Sequence, residues 1–147
     1  MTATWVIVAD GGIVRVFEEV RRGVALIDRP DLEMRHTKAD EVEDSDRPTR
    51  VFESAAGALR HAVETSDGAH EEQERRFLRR ACAAIARAGA EGRYDTLVIF
   101  APPRALGLIR GDLPEAVKSK IAATAPLDVV GETHSQISAR LWDLRQP

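Results

Sequence analysis

Apolar residues run without a break from Trp5 to Ala9, stop at Asp10-Gly11-Gly12, and resume as Ile13, Val14, Val16 and Phe17. Asp-Gly-Gly between two β-rich runs predicts a hairpin, because glycine takes the positive φ of a tight turn without steric penalty. A second turn at Arg22-Gly23 leads into Val24, Ala25, Leu26 and Ile27, which predicts a third antiparallel strand. From Asp31 to about Ser66 charged and turn-forming residues dominate. That stretch predicts a long irregular loop with no more than a short helical turn near Ala56 to Val63.

The period changes at His70. Phe77, Ala81, Ile85 and Ala88 fall on one face of a helix, flanked by Leu78, Cys82 and Ala84, while Arg75, Arg76, Arg79, Arg80 and Arg87 take the other. Glu71 and Glu72 precede the arginines, an order that suits the helix dipole, and the arginine face reads as solvated. Tyr94 to Ala101 is a nearly continuous apolar run, as in a strand covered on both faces. Pro102 and Pro103 must end it, since proline donates no ladder hydrogen bond, yet its fixed φ suits the first turn of a helix. Leu106 and Ile109 then cover the sheet end and Gly111 closes the turn.

Asp112 and Pro114 open a further helix with the stripe Leu113, Val117 and Ile121, ended by Ala125-Pro126. Leu127 to Gly131 is predicted as a strand. Ile137, Leu141 and Leu144 mark a closing helix with Trp142 on its flank. The order β-β-β, loop, α-β-α-β-α predicts an α/β domain spanning 1–147 with a ribonuclease H-like sheet: an antiparallel meander, two parallel strands, five in all, and helices on both faces. Trp5 to Ala9 and Tyr94 to Ala101 should be parallel neighbours at its centre.

Charge and cysteine content narrow the function. A net charge of −3 gives no global attraction to nucleic acid or anionic membrane, so such binding needs a local patch. Cys82 is the only cysteine, which excludes an internal disulfide and a thiolate metal cluster. The N-terminal apolar run is too short for a signal or a membrane span, and a cytoplasmic protein without a membrane partner is expected.

Catalytic signatures are sparse. Asp10, at the end of the first strand, stands where a ribonuclease H-like nuclease keeps a metal ligand, and two-metal hydrolysis needs several converging carboxylates. Glu53, Glu64, Asp95, Asp128 and Glu132 are weak companions, so the simpler reading of Asp10 is a turn cap. His61, Glu64, Asp67 and His70 rotate around a helix instead of sharing a face, Gly68 should interrupt any helix there, and the cluster reads as non-metal. No phosphate-binding glycine loop or nucleophile elbow occurs, no cofactor is expected, and Cys82 reads as a core residue. The remaining candidates are loop arginines: Arg47 and Arg50 in "DRPTRVF", Arg104 and Arg110 around the double proline. Guanidinium forks suit phosphate, and the four would form an anion pocket if the long loop folds over the central strand's C-terminal end. The competing reading pairs them with Asp44, Asp46, Asp112 and Glu115.

"WVIVADGG", "DRPTRVFES", "DGAHEEQERRF" and "DTLVIFAPPRALGLIR", in this order, resemble the bacterial host attachment proteins, or proteins required for attachment to host cells, over nearly the whole chain. That family is similar to the middle domain of archaeal and eukaryotic peptide-chain release factors, which is ribonuclease H-like. The Gly-Gly-Gln loop with which those factors promote peptidyl-tRNA hydrolysis is absent here. The resemblance therefore implies a non-enzymatic binding domain with RNA or the ribosome as candidate partner. The alternative is a metal-dependent phosphodiesterase or nuclease using Asp10.

Overall fold

The computed structural model describes residues 3–22, 26–37 and 55–146, with 55–67 as helical backbone alone. Strands β1 (Thr4–Ala9) and β2 (Ile13–Glu19) form the expected hairpin, in register from Thr4↔Glu19 to Ala9↔Val14. The turn does not use the positive φ expected of its glycines, since neither Gly11 nor Gly12 adopts one; Asp10 holds it instead, its Oδ1 accepting the N–H groups of Gly12 at 2.8 Å and Ile13 at 2.9 Å. Two short strands, β3 (Ile27–Asp28) and β4 (Met34–Arg35), both lie antiparallel to β2, joined by a 3-10 turn at Pro30–Leu32. Val24 and Ala25 of the expected third strand lie outside the described residues.

The chain continues as α1 (Ala55–Ala90), β5 (Thr96–Phe100), α2 (Pro103–Asp112), α3 (Glu115–Lys118), β6 (Ile121–Ala125) and α4 (His134–Leu144). The sheet order is β3-β2-β1-β5-β6, with β4 beside β2. This is the ribonuclease H-like arrangement. As expected, β1 and β5 are parallel neighbours, from Thr4↔Thr96 to Val8↔Phe100.

Helix α1 is longer than its periodicity implied. It spans 36 residues and passes through Gly68, where a helix break was expected. A single interior glycine costs about 1 kcal/mol relative to alanine, too little to stop a helix that Ala69, Glu71 and Glu72 carry on directly after it. The helix ends as a Schellman motif, with Gly92 at φ 72° and the N–H of Arg93 donating to Ala88 at 3.0 Å.

A second correction concerns the C-terminal third. Ile121 to Ala125 is not the end of a helix but strand β6, and α3 has only four residues. Alanine-rich sequence favours a helix locally, but pairing with β5 satisfies the backbone at this site and wins. Leu127 to Gly131, expected as a strand, is instead the connection to α4, and its Val129 is buried under the sheet. Pro126, without an N–H, follows β6 directly, and a register shift between Leu97 and Val98 leaves an extra residue in β6. Bulge and proline together discourage pairing at this edge. Gly111 lies inside the last turn of α2 instead of closing a turn, and Leu113 caps that helix.

Alternation along the strands makes two cores. On one face Trp5, Ile7, Leu97 and Ile99 meet Phe77, Leu78, Ala81, Cys82, Ile85 and Ala88 of α1, with Ala105, Leu106 and Ile109 of α2. Val6, Val8, Phe17, Val98 and Phe100 meet Ile137 and Leu141 of α4 on the other. Tyr94 ties α1 to β5 by donating its hydroxyl to the Ile85 carbonyl at 2.7 Å, and burial pushes its phenol up to about 12. Gly89 makes room, since a Cβ there would stand 2.5 Å from that hydroxyl. Among the described residues no helix is long and apolar enough to cross a membrane.

Candidate functional site

The sheet brings the ends of β1 and β5 together, and α1 and α2 flank them. Gly11, at the end of β1, gives way to α1: a Cβ on it would lie 2.7 Å from the Glu74 carboxylate carbon. Arg104 in the first turn of α2 reaches the same helix. Its guanidinium lies 3.4 Å from Glu74 and 3.5 Å from Glu71, with Glu74 15% exposed and Arg104 46%. Arg104 therefore carries an offset charge and clamps α2 to α1.

Arg110 points elsewhere, donating to the Thr124 hydroxyl on β6 at 3.1 Å. The two arginines on α2 thus engage different neighbours. Arg47 and Arg50 lie outside the described residues, as do Glu53 and the side chains of His61, Glu64 and Asp67. The competing reading of the sequence paired the four loop arginines with Asp44, Asp46, Asp112 and Glu115. It missed Glu71 and Glu74, whose contact with Arg104 spans two helices. The local signal was an acidic cluster at positions 71, 72 and 74 just before a basic run.

Asp10 is occupied as a turn cap. Of the companions weighed for it, Asp95 accepts the Ala3 N–H at 2.8 Å across the start of the sheet, and Glu132 holds Arg140 through two oxygens at 2.7 and 2.8 Å. That pairing with Arg140 lowers the Glu132 carboxyl below its ordinary range. Among the described residues no group of three or more His, Cys, Asp or Glu could hold a metal ion. Cys82 is buried, and desolvation, helped by the Asp112 charge, raises its thiol to about 12, so no thiolate nucleophile forms there.

Among the described residues, the outer face of α1 carries a row of arginines. Arg75 and Arg79 are exposed one turn apart, and Arg87 follows in the last turn; none has an ion pair among the described residues. Arg76 and Arg80 lie beside them, the first 3.4 Å from Glu72, the second donating to the Arg35 carbonyl at 2.9 Å. The strip from Arg75 to Arg87 is about 18 Å long at the α-helical rise. It stands on a protein of net charge −3, so it is a local basic surface against an acidic background.

A family model described as "Protein required for attachment to host cells" matches residues 5–141, from β1 to α4. No curated protein matches the chain.

Proposed function

The chain belongs to the family of proteins required for attachment to host cells, and from that premise we propose that it is a non-enzymatic binding domain whose partner is RNA, carried on a ribosome or free. The observation that carries this reading is the row of Arg75, Arg79 and Arg87, exposed and without ion pairs among the described residues. Phosphates take unpaired guanidiniums in preference to paired ones, because no existing salt bridge has to break. The resemblance to release-factor middle domains, which work at the ribosome, supports the same partner.

Arg104 takes a secondary part in this reading. It reaches phosphate only by leaving Glu71 and Glu74, so it extends the strip instead of nucleating contact. Arg110 and the loop arginines Arg47 and Arg50 are further candidates of the same chemistry. The fold presents α1 rigidly, with Phe77, Leu78 and Ile85 buried against the sheet behind the arginines.

The test is fluorescence anisotropy with a labelled single-stranded RNA over a range of salt. Affinity should fall linearly on a log-log plot, and Arg75→Gln/Arg79→Gln should make that slope shallower by about 1.4, at about 0.7 per arginine removed. Arg104→Gln should weaken binding less than the double variant. Wild-type protein that fails to bind RNA or ribosomes, or a double variant with an unchanged slope, rejects the proposal.

A further inference from the structure

On the face of the sheet opposite α1 lies a cavity of about 670 Å³ between α4 and the end of β2. His134, Ser138, Leu141 and Trp142 line it from one side of α4, at spacings that keep them on a single helical face, and Leu26 and Arg22 form the facing wall. Arg145 and Glu19 close one end as a bidentate pair at 2.8 and 2.7 Å, with Glu19 4% exposed. A second cavity of about 400 Å³ continues past this pair and shares Glu19, Arg22, Leu141 and Arg145 with the first.

The charges leave one site open. Glu19 offsets Arg145, and His134 lies 3.9 Å from Asp28, which offsets it when protonated. Arg22 is exposed, lines both cavities, and has no ion pair among the described residues. Trp142 is 64% exposed although it lines the cavity, whereas Trp5 is buried at 1%. An exposed indole above an apolar floor, next to one uncompensated guanidinium, is complementary to a flat ring carrying a single negative charge. The larger volume is in the range of pockets that hold small molecules.

We propose that this trough is a binding site for a flat aromatic monoanion, stacked on Trp142 over Leu26 and Leu141 with its anionic group on Arg22. The site is independent of the RNA reading, because α1 and α4 lie on opposite faces of the sheet.

A heteronuclear NMR titration with 2-naphthoate tests it. The two tryptophans give two indole N–H signals, and that of Trp142 is assigned by its loss in Trp142→Phe. The Trp5 indole is held by Glu18 at 3.1 Å and serves as an internal control. Naphthoate should shift the Trp142 signal saturably and leave Trp5 in place. The neutral 2-naphthylmethanol should bind about tenfold more weakly, and Arg22→Gln should weaken naphthoate about tenfold and remove its advantage over the alcohol. Arg75→Gln/Arg79→Gln should leave the titration unchanged. The proposal is overturned by an unsaturable or absent Trp142 shift, by equal affinity for acid and alcohol, by an indifferent Arg22→Gln, or by equal weakening in the α1 double variant.

Discussion

The two faces of the sheet are built from alternate residues of the same strands, yet they are covered in different ways. On one, α1, α2 and α3 lay down a wide apolar stripe from Phe77 to Val117, and the hollow lined by Trp5, Ala81 and Ile85 measures about 10 Å³. On the other, α4 offers Ile137 and Leu141 as its buried positions, and troughs remain along its flank. Strand alternation cannot tell the faces apart, because Ile7 and Val8 are equally apolar and equally buried. What differs is the width of the helical stripe laid over them. The fully sealed face turns its outer surface to charge, and the thinly covered face is left with apolar concavities.

The largest expected effect tests the sealed face. Ile85→Asp would place an unpaired carboxylate against Tyr94 and the sheet, and should lower unfolding free energy by about 4 kcal/mol or more in urea titration. A variant near wild-type stability would mean that the α1 face is not the packed one. Next, Arg145→Ala should cost about 3 kcal/mol, since it takes the bidentate guanidinium away from the buried Glu19 carboxylate on the thinner face. Pairing it with Glu19→Leu should recover much of the loss, and a double variant as unstable as the single one would remove the ion pair from the account. The direct comparison is Leu78→Ala against Ile137→Ala, both fully buried. Leu78→Ala should be the more damaging by about 1 kcal/mol, because the sealed face has less freedom to collapse onto the cavity. Equal losses would erase the contrast between the faces.

The smaller effects concern titration. Burial would raise the Glu18 carboxyl, but hydrogen bonds from Arg29 and the Trp5 indole, with the charges of Arg29 and Arg93, outweigh it and hold the group below its ordinary 4.5. A depressed carboxyl stabilises the fold fully above that value and loses its contribution as pH falls through the folded pKa. Thermal melts should therefore show an acid limb beginning below pH 4.5 that Glu18→Gln makes shallower. Cys82 should resist alkylation at neutral pH, with a thiol pushed to about 12, until denaturant exposes it. Rapid labelling of the native protein would show that the α1–α2 seam opens.

The candidate surfaces were legible to different degrees. Arg75, Arg79 and Arg87 stand out as one face of a period that needs no tertiary knowledge, but whether they were paired did not, since partners such as Glu71 and Glu74 could have taken any arginine in reach. The trough beside α4 left almost no mark on the sequence. Trp142 was visible as a flank residue of the closing helix, while Arg22 and Leu26 lie more than a hundred positions away and meet it only through the sheet.

By itself the sequence determined whatever rests on local chemistry: the Asp-Gly-Gly hairpin, the buried face of α1, the end of the central strand at Pro102, and the helical stripe of Ile137 and Leu141. Those features follow from periodicity, from proline's restricted backbone and from a short capping side chain at Asp10, so neighbours a few positions apart suffice to specify them. Tertiary structure alone decided the rest. Ile121 to Ala125 became a strand because β5 offered it hydrogen bonds that its own alanines, read locally, would have sought in a helix. Arg104 was claimed by α1 and Arg145 by β2 because long charged side chains take the partners that packing brings within reach, and sequence distance puts no limit on which those are.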